Sequence, residues 1–241
     1  INKMTTLSII IPVFNESNTI ALLLDKIKEV KLLCNLTKDI IVIDDGSSDN
    51  TCNIINNYID NNKELNIRLT SHKVNKGKGA AIHSGIKLAI GEYLIIQDAD
   101  LEYDPEEYNI LLNPILKGVA DVVYGSRFKG SNPHRVLFFW HSIGNKFLTF
   151  MSNAFTNLNL TDMESCYKMF DTSLIQNINL HEKRFGFEPE VTAKISRIAN
   201  IRIYEVGISY YGRTYSEGKK INWKDGVRAI YCIIKYGLLK F

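Results

Sequence analysis

Leu7-Ser8-Ile9-Ile10-Ile11-Pro12-Val13-Phe14-Asn15-Glu16 decides the fold. Its apolar run is nearly unbroken, which suits a strand covered on both faces rather than one with a wet side. The run then gives way to small, polar and acidic residues. The same pattern recurs down the first half of the chain, where strands are predicted over Leu7–Val13, Ile40–Ile43, Ile67–Ser71, Tyr93–Gln97 and Asp121–Tyr124, with helical stretches between them. Buried strands alternating with helices make a doubly wound α/β sheet. Helix starts are read at Ser17, before the Ile20/Leu23/Leu24/Ile27 stripe, at Ser48, and at Asp104-Pro105-Glu106-Glu107, with proline in the first helical position.

In such sheets ligands sit beyond the carboxyl ends of the strands. Three of those ends are rich in polar groups: Pro12 to Glu16, Asp44-Asp45-Gly46-Ser47-Ser48-Asp49, and Asp98-Ala99-Asp100. They are expected to converge on one crevice.

Composition bounds the partners. With 241 residues, 45% hydrophobic and 23% charged, the chain can fill a core, and a net charge of +3 is too small to point to nucleic acid. Cys34, Cys52, Cys166 and Cys232 show no CxxC spacing, which argues against a disulfide framework or a structural zinc and for a reducing, cytosolic setting. The longest apolar stretch, Ala229–Leu239, is far short of the roughly 20 residues a spanning helix needs, and it carries Lys235. No membrane crossing is expected. Residue 1 is Ile rather than Met, so the natural N-terminus is open, and the sequons at Asn35 and Asn159 carry no weight.

Basic character is concentrated in two places. From Arg127 to Lys146 there are four Lys/Arg and no acids, interleaved with Phe128, Phe138, Phe139, Trp140 and Phe147. From Arg213 to Phe241 seven Lys/Arg face two acids, a local net of 7 − 2 = +5, with Trp223, Tyr231 and Tyr236 among aliphatics. Both segments are expected to form amphipathic interfacial helices.

Asp98 and Asp100, read as the end of an extended strand, fall on one side of the backbone, where two carboxylates can chelate a hard cation. Glu102 shares their parity as a third ligand. A lone DxD is equally a polar strand exit ahead of the capping Asp104. Asp44 and Asp45 offer a carboxylate to a ribose or base edge, with Gly46 for the turn, or form an ordinary strand-to-helix turn. Asn75-Lys76-Gly77-Lys78-Gly79-Ala80-Ala81 opens a helix with glycines and lysines suited to a diphosphate, without the GK[ST] ending of a Walker loop. Arg127, after Gly125-Ser126, is either a bidentate phosphate ligand or half of a salt bridge. Asp162 and Glu164 could serve a sugar hydroxyl, and Glu188 and Glu190 suit a helix start. The histidines lack metal spacing, and no GxSxG or HExxH is present.

In order, these segments, with Asp162–Lys168 and Arg213–Gly226, resemble the family-2 inverting glycosyltransferases. Within them the likeness is to the dolichyl-phosphate mannose synthase-like and bacterial polyprenyl-phosphate hexosyltransferase branch, from about Leu7 to the C-terminus. The resemblance implies a GT-A-type nucleotide-sugar-binding fold. Residues 1–127 would form the nucleotide-sugar and metal half, and residues 128–241 the acceptor-binding, membrane-surface part of the same catalytic domain. It implies that Pro12, Asn15, Glu16, Asp44, Asp45 and Lys78 bind the nucleotide-sugar, that Asp98, Asp100 and Glu102 hold Mg²⁺ or Mn²⁺, and that Arg127, Arg213 and Lys219 meet the acceptor. Asp98, Asp100 and Arg127 would then be the catalytic set.

Family members often have glutamine where Glu102 stands, and many bacterial relatives carry C-terminal transmembrane helices. The QxxRW motif of processive synthases is missing, which points to single-sugar transfer. The expectation is therefore a glycosyltransferase moving one hexose from a UDP- or GDP-sugar to a polyprenyl phosphate, peripheral on the cytosolic face of the membrane. A membrane-protein partner or homo-oligomer is left open. The alternatives are transfer to a saccharide hydroxyl and a non-catalytic nucleotide-sugar-binding subunit; a nucleotidyltransferase ranks last.

Overall fold

The computed structural model describes residues 5–130, 135–136, 138–213 and 223–238, without the side chains of Trp223 and Lys224. Seven strands form one sheet: β1 (Thr6–Val13), β2 (Thr37–Asp44), β3 (Ile67–Ser71), β4 (Tyr93–Ile96), β5 (Val122–Ser126), β6 (Lys168–Asp171) and β7 (Ile203–Gly207). Their order is β3-β2-β1-β4-β6-β5-β7. All neighbours run parallel except β6, which is antiparallel to both β4 and β5. The result is a mixed, doubly wound sheet.

Helices cover both faces: α1 (Ile20–Glu29), α2 (Thr51–Asn61) and α4 (Tyr108–Leu116) on one, α3 (Lys78–Leu88), α6 (Thr172–Gln176) and α7 (Phe187–Ile195) on the other. Strand alternation divides the core between them. Leu7, Ile9, Ile11 and Val13 of β1 face the α1 side, and Ile10 faces the α3 side. Because both faces are covered, the strands read as continuous apolar runs. Beyond this core α5 (Phe139–Thr156) packs against α7 and α8 (Trp223–Leu238).

The five strands expected from sequence all form, with ends shifted by a few residues. Three local readings are corrected. The caps of α1 and α2 are Thr19 and Asn50, not Ser17 and Ser48, and neither makes a side-chain cap bond. Ser48 instead donates its backbone N–H to Asn15 Oδ1 (2.8 Å), which holds the two strand exits together. The described helix of the basic segment after Arg127 starts at Phe139 and runs past Lys146 to Thr156. Asp104 does cap its turn, accepting from Glu106 N.

Candidate active site

The carboxyl ends of β1, β2, β4 and β5 open into a cavity of about 790 Å³. Pro12, Glu16, Asp45, Lys78, Asp98, Asp100, Glu102, Arg127 and Arg213 line it. Asn15 and Asp44 do not. Asn15, at φ +53°, links to Ser47 and Ser48, and Asp44 is buried and accepts from Ser47 N within its own turn. Lys219 lies outside the described residues.

β4 ends at Ile96, so Asp98-Ala99-Asp100 is a turn rather than extended strand, and Leu101 follows in the left-handed region at φ +63°. The acids reach the cavity by that turn, not by strand alternation. Each is met by a cation. Lys78 Nζ lies 2.6 Å from Asp98 Oδ1 and also donates to Cys166 Sγ (2.8 Å). Arg213 Nη2 donates to Asp100 Oδ2 (2.9 Å), and its backbone N–H to Glu102 Oε1 (2.7 Å). Burial disfavours charge on Lys78, yet the Asp98 carboxylate more than offsets it and holds the ammonium above its ordinary pKa. Asp100 is pushed up by burial and then by the charges of Asp98 and Glu102.

Carboxylates crowded to that degree call for more positive charge than Lys78 and Arg213 supply. A divalent cation with oxygen ligands fits the donor set of Asp98 and Asp100. Among the described residues no three His, Cys, Asp or Glu groups are gathered so as to hold a metal by themselves. Glu102 is occupied by Arg213 and by the Tyr210 hydroxyl (2.9 Å).

Arg127 is buried. Its Nε and Nη2 donate to Asp162 Oδ2 and Oδ1, both at 2.7 Å, and its backbone N–H adds a third bond at 3.0 Å. Burial raises the Asp162 carboxyl, but the Arg127 charge and hydrogen bonds outweigh it and hold the group below the usual range. The bidentate edge of the guanidinium is therefore taken by protein, which leaves the Nη1 amino group for a ligand. Arg127 also sits over the Tyr210 ring, 5.1 Å from its centroid, and Tyr210 packs on Tyr103 at 5.4 Å. Through Tyr210 the acidic turn and the arginine share one bracket.

The loop before α3 is closed by Asp45, which accepts from Gly77 N (2.7 Å) and Lys76 N (3.0 Å) and meets His72 Nδ1 at 2.6 Å. Its glycines answer to chain packing: a Cβ on Gly77 (φ +99°) would stand 2.5 Å from Lys183 O, and one on Gly79 would strike Glu182 O. Ala80 N already donates to Lys183 O (3.0 Å). A diphosphate finds fewer open amides at this helix start than the sequence pattern implies.

Glu164 lines the cavity with its Oε1 buried and without a hydrogen-bond partner among the described residues. Burial, then the Glu188 charge behind it, pushes its carboxyl up to about 8. Lys168, fully buried, turns its ammonium to the carbonyls of Met163 and Ser165 and fixes the turn that carries Glu164.

The model for glycosyl transferase family 2 matches residues 8–178. The chain belongs to glycosyl transferase family 2. A dolichyl-phosphate β-glucosyltransferase of Dictyostelium discoideum is 29% identical over 231 residues, spanning 90% of this chain and 68% of the relative. A dodecaprenyl-phosphate galacturonate synthase of Rhizobium johnstonii is 24% identical, spanning 88% of this chain and 61% of that protein. Among solved structures, glucosyl-3-phosphoglycerate synthase of Mycobacterium tuberculosis, crystallised with Mn²⁺, UDP and phosphoglyceric acid, superposes with a TM-score of 0.74 at 18% identity. It matches over 98% of this chain and 80% of that one. That likeness establishes a GT-A-type fold, as the resemblance implied.

The cavity of this family 2 glycosyltransferase is also built from contacts that no sequence motif marks. Tyr103 and Tyr210 bridge Glu102 to Arg127, and His72 and Cys166 partner Asp45 and Lys78. Aromatic residues beside apolar ones read as core, and nothing in spacing distinguishes them. Trp140 was noted only for its helix, yet it lines the cavity.

Proposed function

We propose that this family 2 glycosyltransferase moves one hexose from a UDP- or GDP-sugar to a polyprenyl phosphate at the cytosolic surface of a membrane. One observation carries the acceptor assignment: Trp140, 78% exposed, lines the same cavity as Asp98 and Arg127. It belongs to an apolar stripe on α5, with Phe139, Ile143, Phe147 and Phe150 also exposed, and α8 beside it exposes Val227, Tyr231, Ile234 and Leu238. A lipid lying on that surface could deliver its phosphate to Arg127. No helix among the described residues is long and apolar enough to cross a membrane. The names of the Dictyostelium and Rhizobium relatives support the same acceptor class.

The mechanism follows from charge. A divalent cation on Asp98 and Asp100 would neutralise the departing nucleoside diphosphate as a Lewis acid, worth several kcal/mol of transition-state stabilisation. Lys78, held charged by Asp98, adds positive charge on the donor side. Arg127, pinned by Asp162 and Tyr210, presents Nη1 and its charge to the acceptor phosphate. That phosphate, with a second pKa near ~6, is already anionic at neutral pH and attacks the anomeric carbon without a general base. Asp162 is too firmly paired to serve as one. Glu164, with its raised pKa, is the group that would favour the second reading, transfer to a sugar hydroxyl.

Incubation with Mn²⁺, UDP- and GDP-sugars and a short polyprenyl phosphate tests the proposal. A lipid-linked hexose that disappears in Asp98→Asn is expected. No lipid product with any common donor would overturn it, and product only with soluble saccharides would select the second reading.

A further inference from the structure

A second cavity, of about 600 Å³, lies beside the active site, between the loop that precedes α7 and the flank of α8. Five cations line it: Lys76, Lys183, Arg184, Arg228 and Lys235. Glu182 and Asp225 are the acids in its wall, which leaves a local net of 5 − 2 = +3, as much as the whole chain carries. Arg228 and Lys235 share one carboxylate, that of Glu182, at 2.7 and 3.6 Å. Lys76, Lys183 and Arg184 are exposed and make no ion pair among the described residues. A cavity with that much unmet positive charge is suited to an anion.

The helix α8 indicates what carries the anion. Its exposed Val227, Tyr231, Ile234 and Leu238 recur at helical spacing, and Arg228 and Lys235, each one residue on from a member of that stripe, flank it along one edge. Tyr231 joins the two sets, with Arg228 4.8 Å and Lys235 5.8 Å from its ring centroid. An apolar stripe edged by cations is the pattern of a helix lying in a membrane interface, its apolar side chains at the acyl boundary and its cations at the level of the headgroup phosphates. A soluble anion would meet the cations and leave the stripe in water. Neither Arg127 nor Trp140 lines this cavity, so a lipid held here is not the acceptor placed at Arg127.

We propose that this cavity binds the headgroup of an anionic phospholipid, distinct from the reacting acceptor, and so seats α8 in the membrane surface. The inference rests on the membrane-surface reading above and deepens it.

Flotation with phosphatidylcholine vesicles, with and without phosphatidylglycerol, compares the wild type with two double variants. One is Lys76→Ala with Lys183→Ala; the other, Lys31→Ala with Lys117→Ala, removes the same charge from exposed positions beside α1 and α4. The wild type should bind the phosphatidylglycerol vesicles at least about thirtyfold more tightly, and the cavity pair should lose at least about tenfold of that preference. The control pair should lose about twofold or less, since its charges lie far from the bound headgroup. Equal losses in the two pairs, no loss in the cavity pair, or vesicle binding that phosphatidylglycerol does not strengthen overturns the headgroup site with the membrane reading intact. Calorimetry with inorganic phosphate closes the other route: affinity equal to that for the vesicles would make this a site for a soluble anion and overturn the lipid assignment. Absence of binding to either vesicle, with circular dichroism unchanged, overturns the membrane reading itself.

Discussion

Asp162 has no exposed surface, and both of its oxygens accept from Arg127, with Asn145 Nδ2 adding a bond at 3.0 Å. Removing one partner of such a pair leaves the other charge buried and alone, a change worth about 3–5 kcal/mol. Asp162→Ala should therefore lower stability by that order in urea melts at pH 7. The folded pKa of Asp162 is depressed, so the stability it contributes is complete above the unfolded value of ~3.9 and fades as pH falls through the lower folded value. The gap between wild type and Asp162→Ala should hold from pH 5 to 7 and narrow below about pH 4. A gap that ignores pH would mean that packing, not the ion pair, carries the effect. Asp98 calls for a different measurement. Asp98→Asn keeps the shape and a partner for Lys78, so thermal melts should change little, while transfer falls about 10³-fold, as expected when several kcal/mol of Lewis-acid stabilisation is lost.

At the scale of elements, α5 and α8 expose apolar side chains at helical spacing, Phe139, Ile143, Phe147 and Phe150 on one and Val227, Tyr231, Ile234 and Leu238 on the other. Burying a phenylalanine is worth about 1.5–3 kcal/mol. Phe147→Glu with Phe150→Glu should thus cut sedimentation with anionic phosphatidylserine vesicles at least about tenfold while circular dichroism stays unchanged. Vesicle binding equal to wild type would remove this face as the membrane contact. α8 is held down by Glu182, which accepts from Arg228 Nη2 (2.7 Å) and the Tyr236 hydroxyl (2.9 Å), and whose own segment packs on Gly79. Glu182→Ala should raise amide exchange across α8 and slow nucleotide-dependent protection at residues 76–79, read by hydrogen-exchange mass spectrometry. Elements also differ in how readable they were. β1, β2 and β4 declare themselves by β-branched runs buried on two faces. β6 has four residues and opens with Lys168, a residue that belongs at a surface until its ammonium finds the carbonyls of its own turn. β7 is short and only half-buried, so no pattern marks it. The acids of the site were readable by residue type and place in the chain. The Asp98 turn, the Asp162 clamp on Arg127 and the Tyr103–Tyr210 bracket were not, since each depends on groups 20 or more positions apart.

At the scale of the whole molecule, β6, from the second half of the chain, pairs between β4 and β5 of the first, so the two halves share one sheet. The carboxyl ends of that sheet gather acids whose charge is only partly met by Lys78 and Arg213. A nucleoside diphosphate and a divalent cation brought there together are then each other's complement: the cation offsets Asp98 and Asp100, and the diphosphate completes its shell. Binding to the folded state alone at a hundred times Kd adds about 2.7 kcal/mol. For a domain of this size that raises the melting temperature by roughly 5–10 °C. The shift should appear with Mn²⁺ plus either UDP or GDP, stay small with nucleotide or metal singly, vanish with EDTA, and be absent in Asp98→Asn. The nucleotide that produces it identifies the donor base. Equal shifts with and without metal would mean that Lys78 and Arg213 alone hold the diphosphate, and Asp98 and Asp100 would then lose their place as metal ligands.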